Sequence, residues 1–404
     1  MEKDYLKYTC LFGGGAIRGM SYVGAVKALE ELNVSASTFA GSSVGSIFAA
    51  LLAVGYTAKE LKEIFLKVNF ELFKDIQLGI GPKFALSKGE LFLDWVRELI
   101  EQKFYGEKYK KGSNKSVTFK DLKKNLVIIT TNLSNFECKE FSKFETPDYE
   151  IAKAVRISSG MPGLMRPVEY NNTLLVDGDL QKSWPMWKLS KNLLLDNDRV
   201  LEFRLEGLIE DNDMNALDYA NAVYSCMTAS STAFVTSIYG ENDKFDYIVL
   251  NTGDVLLVDF NIPIDKRESL IQSGYNQTME YFKNKLPQKK SNIKLKYETT
   301  FEKLLKLKKY IESRKIQKAQ VVFGEIFADL YEFDDILDSN CKNLILKFHK
   351  IFSSNIIYPA LFGKTSIKNE KMILAELSSI INCYQSKISD LSEYLHLFPI
   401  GCNE

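Results

Sequence analysis

Short apolar runs alternate with amphipathic stretches over the first two-thirds of the chain. Tyr8-Thr9-Cys10-Leu11-Phe12 reads as a buried first strand, and Tyr22, Val23, Ala25, Val26 and Leu29 then recur at helical spacing. A β-prone run at 38–40 is followed by an apolar, alanine-rich helix at 46–54. Residues 58–77 predict one long helix with Leu61, Ile64, Phe65, Val68, Leu72 and Ile76 on a single face and Phe70 and Phe73 off it. That stripe is read as core-facing, with a lipid-facing cap as the second reading. Gly79-Ile80-Gly81-Pro82 ends the pattern. A second amphipathic helix follows at 90–104, then a polar loop at 105–116. The β-branched run 126–131 has the pattern of a central parallel strand, and 136–141 predicts the next one. A helix from 151 leads to a short strand, 174–176, which ends in Asp177-Gly178-Asp179. Strand candidates at 200–205 and 247–250 and a helix at 267–285 complete this part.

Lys283, Lys285, Lys289, Lys290, Lys294 and Lys296 then cluster around Pro287. This shift predicts a boundary, with 1–286 as one domain and 287–404 as a lysine-rich helical region. The cluster reads first as a solvated linker and second as a patch for anionic lipid.

Two stretches carry candidate chemistry. In Gly41-Ser42-Ser43-Val44-Gly45, Gly-x-Ser-x-Gly stands between a strand and a helix, the pattern of a nucleophile elbow. The sharp turn needs near-bare residues two positions either side of Ser43, and the N-terminus of the next helix favours negative charge there. A strand-turn-helix with packing glycines accounts for the same five residues, so the decision rests on a partner base and an oxyanion hole elsewhere. The first strand runs into Gly13-Gly14-Gly15-Ala16-Ile17-Arg18-Gly19, a loop whose backbone N–H groups can converge on an anion. A dinucleotide fingerprint fails because Arg18 stands where the last glycine belongs, and no Gly-Lys-Ser/Thr closes a phosphate loop. Asp177, directly after a strand, is placed at the sheet edge where Ser43 emerges. Taken alone, Asp-Gly-Asp reads first as a β-turn.

Composition narrows these readings. The 404 residues are 46% hydrophobic, with 52 basic against 52 acidic side chains, which gives no reason to expect nucleic acid as a partner. No apolar run approaches a membrane span and no secretory signal follows Met1, so the expected place is the cytoplasm. The six cysteines are scattered without a C-x-x-C pair and read as free thiols. Only two histidines exist, His349 and His396, and both lie far beyond the Ser43 motif.

In order, the glycine loop with Arg18-Gly19, then Gly41-x-Ser43-x-Gly45, then Asp177-Gly178 resemble the patatin-like phospholipase family. The block Arg156-Ile157-Ser158-Ser159-Gly160-Met161-Pro162-Gly163 and the strand pair at 126–141 resemble it as well, and the likeness covers roughly residues 8–286. The resemblance implies a three-layer α/β/α sandwich with a mainly parallel central sheet. It implies a Ser43–Asp177 dyad with no histidine, an oxyanion loop at Gly13, Gly14, Gly15 and Ala16, and no metal or organic cofactor. The expected activity is hydrolysis of a phospholipid or other acyl-ester lipid, with peripheral membrane contact and an activator left open. Two positions depart from the family: Ala16 replaces a glycine, and Asp179 replaces glycine or alanine and adds a second carboxylate.

Three alternatives stand beside this reading. One is a Ser-Asp-His triad recruiting His349 or His396, one is a patatin-like binding or regulatory protein with little turnover, and the weakest is a nucleotide-binding module.

Overall fold

The computed structural model describes residues 7–74, 87–181, 199–207, 226, 243–257, 259, 261–332, 338–358 and 365–397. By contact density it divides into two units, 1–240 with 244–280, and 241–243 with 281–404.

The first unit is built on one mainly parallel sheet. Strands β1 (Lys7–Phe12), β2 (Ser35–Ser42), β3 (Asn125–Asn132), β4 (Glu137–Ser142), β5 (Val168–Tyr170), β6 (Thr173–Val176), β7 (Arg199–Glu206) and β8 (Phe245–Asn251) lie in the order β5-β6-β3-β2-β1-β7-β8, with β4 also paired to β3. The pairs β1–β2, β2–β3, β1–β7 and β7–β8 are parallel. The strands β4, β5 and β6 run antiparallel to their neighbours. β1 and β3 are apolar and buried along almost their whole length, as a central parallel strand requires.

Helices α1 (Met20–Glu31), α2 (Val44–Val54), α3 (Ala58–Lys67), α4 (Glu90–Tyr105), α5 (Ile151–Ser158) and α6 (Ile264–Glu280) belong to this unit. Tyr22 of α1 stands edge-on to Phe12 of β1 and Phe48 of α2, with ring centroids 5.2 and 5.3 Å apart, and Phe48 stacks on Phe65 of α3 at 4.7 Å. Each such aromatic pair adds about 0.5–1.5 kcal/mol beyond the area it buries.

The long helix predicted at 58–77 is not formed. α3 stops at Lys67, Val68 turns extended, and a 3₁₀ turn follows over Phe70–Lys74. The guanidinium of Arg267 donates to the carbonyls of Phe65, Leu66 and Val68 at 3.2, 3.3 and 2.7 Å, which satisfies the helix end. The change of direction exposes Leu72, a predicted core position, and turns Phe70 and Phe73 toward Phe65 and Trp95. Residues 75–77 lie outside the described residues.

In the second unit a π-helical turn, Tyr281–Lys285, leads into α7 (Leu286–Glu312), followed by α8 (Ile316–Glu332), α9 (Ser339–Asn355) and α10 (Glu370–Leu397). Ile293, Tyr297, Leu304, Leu307 and Ile311 recur at three, four and seven, so one face of α7 enters a core shared with Ala319, Val322 and Ile326 of α8 and Leu377 and Tyr384 of α10. A two-stranded ribbon, β9 (Ile356–Ile357) and β10 (Ser366–Ile367), joins α9 to α10.

Two expectations are overturned in this unit. Lys290 does not lie in a solvated linker. It is fully buried on α7, and its Nζ donates to the Asp243 carbonyl and Oδ1 at 2.5 and 2.6 Å. Cys341 and Cys383 are not free thiols either; they form a disulfide between α9 and α10. Packing the two helices side by side brings together cysteines 42 positions apart, which spacing along the chain does not reveal. Among the described residues no helix is long and apolar enough to cross a membrane.

Candidate active site

β2 ends in Ala40-Gly41-Ser42, and α2 begins at Val44. Ser43 between them has φ 50° and ψ −131°, a conformation costing a non-glycine residue about 1–3 kcal/mol. The turn closes so tightly that a Cβ on Gly41 would lie 2.2 Å from the Gly45 carbonyl, and one on Gly45 2.0 Å from that of Phe12. This is the steric reason for glycine two positions either side of the serine.

The strained backbone is held from several sides. Ser43 N–H donates to Ser158 Oγ at 3.0 Å, and Ser158 Oγ donates to the Ile129 carbonyl at 2.6 Å. Ser46 Oγ and Ser159 Oγ donate to the Ser43 carbonyl at 2.6 and 3.2 Å. Ser158 and Ser159 stand at the end of α5, and periodicity and spacing assign them no role here. Their only signal in the sequence is the Ser-Ser-Gly block before the Asp-Gly motif.

Ser43 Oγ donates to Asp177 Oδ2 at 2.8 Å, both groups being buried. The other carboxylate oxygen, Oδ1, accepts the Asp179 N–H at 2.8 Å, and Asp177 N–H donates to the Gly160 carbonyl at 3.1 Å. No histidine stands between serine and carboxylate. His349 belongs to the second unit, where its ring stacks on Phe327 at 4.4 Å.

Asp177 reaches Ser43 by a route other than the expected one. β6 is antiparallel to β3, pairing Val176 with Thr131 and Leu175 with Asn132. The chain therefore enters at the C-terminal end of β3 and runs inward. It turns at Gly178 against the Ile129 carbonyl, which a Cβ on that residue would approach to 2.1 Å.

The four backbone N–H groups of the glycine loop divide into two kinds. Gly13 N–H donates to the Phe203 carbonyl at 3.1 Å and belongs to the sheet. Gly14 N–H donates to Asp179 Oδ1 at 3.0 Å, an oxygen that also accepts Ser42 Oγ–H at 3.1 Å. A Cβ on Gly14 would sit 2.4 Å from that carboxylate, so the bare backbone is what admits it. The N–H groups of Gly15 and Ala16 meet no acceptor among the described residues. Ala16 takes a positive φ of 47° despite its side chain. Val44, the first residue of α2, presents its own helix-terminal N–H beside Ser43.

Arg18 is buried, and burial lowers its pKa; its Nε donates to the Val255 carbonyl at 2.6 Å, so it braces the loop rather than touching Ser43 or Asp177. Gly19 lies against the Val44 side chain at the start of α1. Tyr22 OH donates to the Gly13 carbonyl at 2.8 Å, and burial, with Asp179 and Glu202 nearby, pushes its pKa well up. Among the described residues no three His, Cys, Asp or Glu side chains gather where they could hold a metal ion.

The chain is similar in sequence or in fold to several known proteins. The chain is 27% identical to an uncharacterised protein of Acanthamoeba polyphaga mimivirus over 68% of this chain and 93% of that one. It is 26% identical to an uncharacterised Bacillus subtilis protein, YqhO, over 68% and 97%. A protein of Invertebrate iridescent virus 6, named as a probable lipid hydrolase, is 32% identical over 46% of this chain and 64% of its own. The crystal structure of VipD from Legionella pneumophila superposes with a TM-score of 0.50 at 16% identity, covering 95% of this chain and 88% of VipD, a likeness of fold. Residues 11–186, which contain the glycine loop, Ser43 and Asp177, match the family model of the patatin-like phospholipases.

Proposed function

We propose that this chain is a serine acyl hydrolase that cleaves the ester bonds of phospholipids or related acyl lipids at a membrane surface. The observation that carries the reading is the direct 2.8 Å hydrogen bond from Ser43 Oγ to Asp177 Oδ2. The iridescent-virus relative, named as a probable lipid hydrolase, supports the substrate class.

In this mechanism Asp177 takes the Ser43 proton as Oγ bonds to the ester carbonyl carbon. The carbonyl oxygen becomes an oxyanion facing the N–H groups of Gly15, Ala16 and Val44. Collapse of the tetrahedral intermediate breaks the ester C–O bond, and Asp177 returns the proton to the leaving alcohol. A water molecule then gives a proton to Asp177 as its oxygen attacks the acyl-serine, the acyl C–Oγ bond breaks, and Asp177 returns the proton to Ser43 Oγ, releasing fatty acid and the free serine. A carboxylate is a weak base for a hydroxyl, so much of the acceleration falls to the oxyanion donors and the α2 N-terminus.

Residues 1–286 are assigned to this activity, and 287–404 form a helical region outside it. The test is hydrolysis of mixed-lipid vesicles with products read by mass spectrometry. Ser43→Ala and Asp177→Asn are each expected to lower release at least about 10³-fold. Unchanged release by Ser43→Ala overturns the reading. Asp179, seated in the glycine loop, favours a second reading, a patatin-like binding protein with little turnover. That reading requires the folded wild type to release no fatty acid and to leave Ser43 unreacted with a fluorophosphonate.

A further inference from the structure

Asp179 touches each of the three parts that the proposed reaction needs, although the family pattern has glycine or alanine at its place. Its Oδ1 accepts from Gly14 N–H at 3.0 Å, in the middle of the glycine loop, and from Ser42 Oγ–H at 3.1 Å, on the residue before the nucleophile. Its backbone N–H donates to Asp177 Oδ1 at 2.8 Å, on the oxygen that does not face Ser43. The residue is buried.

We infer that Asp179 is a positioning residue: its carboxylate clamps the glycine loop to the elbow and so sets the spacing between oxyanion donors, nucleophile and base. The inference rests on the hydrolase reading above.

The physical argument starts from Ala16. A loop that carries alanine at a positive φ has lost one glycine of the family run and needs its conformation fixed from outside. A buried carboxylate oxygen needs hydrogen-bond donors, and here one oxygen accepts two and ties segments 28 positions apart in the chain. With Gly14 N–H held by Asp179 and Gly13 N–H held by the sheet, the next two N–H groups of the loop are left for the substrate oxygen. Asp179 is 2 residues from Asp177, so the same turn that brings the base to Ser43 brings the clamp to Gly14. A displacement of catalytic donors by even ~1 Å costs about 10²-fold in rate, which makes the spacing worth securing.

The experiment measures labelling of Ser43 by a fluorophosphonate probe, resolved into the maximal rate and the half-saturating concentration. The probe forms an Oγ–P bond and expels fluoride, with the Ser43 proton passing to Asp177. Asp179→Ala is expected to lower the maximal rate about 10²-fold while half-saturation moves less than about twofold, because geometry and not probe binding is lost. Asp179→Asn keeps an acceptor oxygen for Gly14 and Ser42 and is expected to recover most of the rate, to within about fivefold of wild type. Ser42→Ala removes one leg of the clamp and keeps the other, so it serves if Asp179→Ala does not fold; a drop of about tenfold is expected.

Labelling of Asp179→Ala at the wild-type rate or faster overturns the inference and leaves the hydrolase reading standing; faster labelling would mean that the carboxylate obstructs the loop. An Asp179→Asn variant as slow as Asp179→Ala also overturns it, since charge and not the clamp would then matter. A wild type unreactive at Ser43 overturns the hydrolase reading and this inference with it.

Discussion

At the scale of single residues, the site is a set of strains and contacts around Ser43. Its φ of 50° is unfavourable for any side chain with a Cβ, and three serines and a helix start hold it there. This makes a prediction that inverts the usual order of residues. Ser43→Ala and Ser43→Gly both lose the hydroxyl, but only glycine relieves the backbone. Ser43→Gly is expected to be more stable than Ser43→Ala by about 1 kcal/mol, read from urea midpoints. The opposite order would show that the elbow is relaxed. Gly41, Ser43 and Gly45 are legible from sequence because the steric demand is local. Ser158 is not, because its contact with Ser43 spans 115 positions.

At the scale of elements, periodicity located most strands and helices and failed where a distant side chain intervened. The stripe from Leu61 to Ile76 suits a long helix, yet the Arg267 guanidinium, from α6, takes the carbonyls at its midpoint. Once those acceptors are satisfied the helix stops without loss, and Phe70 and Phe73 gain ring contacts that the straight helix denies them. Arg267→Ala leaves these carbonyls without a charged donor and is expected to destabilise the first unit by about 2 kcal/mol in urea unfolding. An effect under about 0.5 kcal/mol would assign the helix end to local sequence instead. β6 offers the same lesson for direction: its short apolar pattern predicts a strand, while its antiparallel course depends on pairing with β3.

At the scale of the whole molecule, each unit buries its own core. The first centres on the apolar strands, with Leu11, Ala40, Val127, Ile129, Val200 and Phe245 in contact on the sheet. The second is closed by α7 to α10 and by the Cys341–Cys383 disulfide. A cross-link across 42 positions removes loop-closure entropy from the unfolded chain worth about 3–4 kcal/mol. Cys341→Ser with Cys383→Ser is therefore expected to lower the stability of the second unit by roughly that amount. Equal midpoints for the double variant and the oxidised wild type would show that the cross-link carries no stability.

What the sequence determined by itself was local: the turn chemistry of Gly-x-Ser-x-Gly, the glycine loop after an apolar strand, the order of the motifs, and the helical spacing of the second unit's core. These follow from steric and periodic rules that act within a few residues. The tertiary structure decided which groups meet. It sent β6 antiparallel so that Asp177 arrives 134 positions from Ser43, gave Gly14 N–H to Asp179 and left those of Gly15 and Ala16, and paired Cys341 with Cys383. It also buried Lys290 against Asp243. Hydrogen bonds and disulfides of this kind depend on how strands and helices pack in three dimensions, and no spacing along the chain encodes that packing.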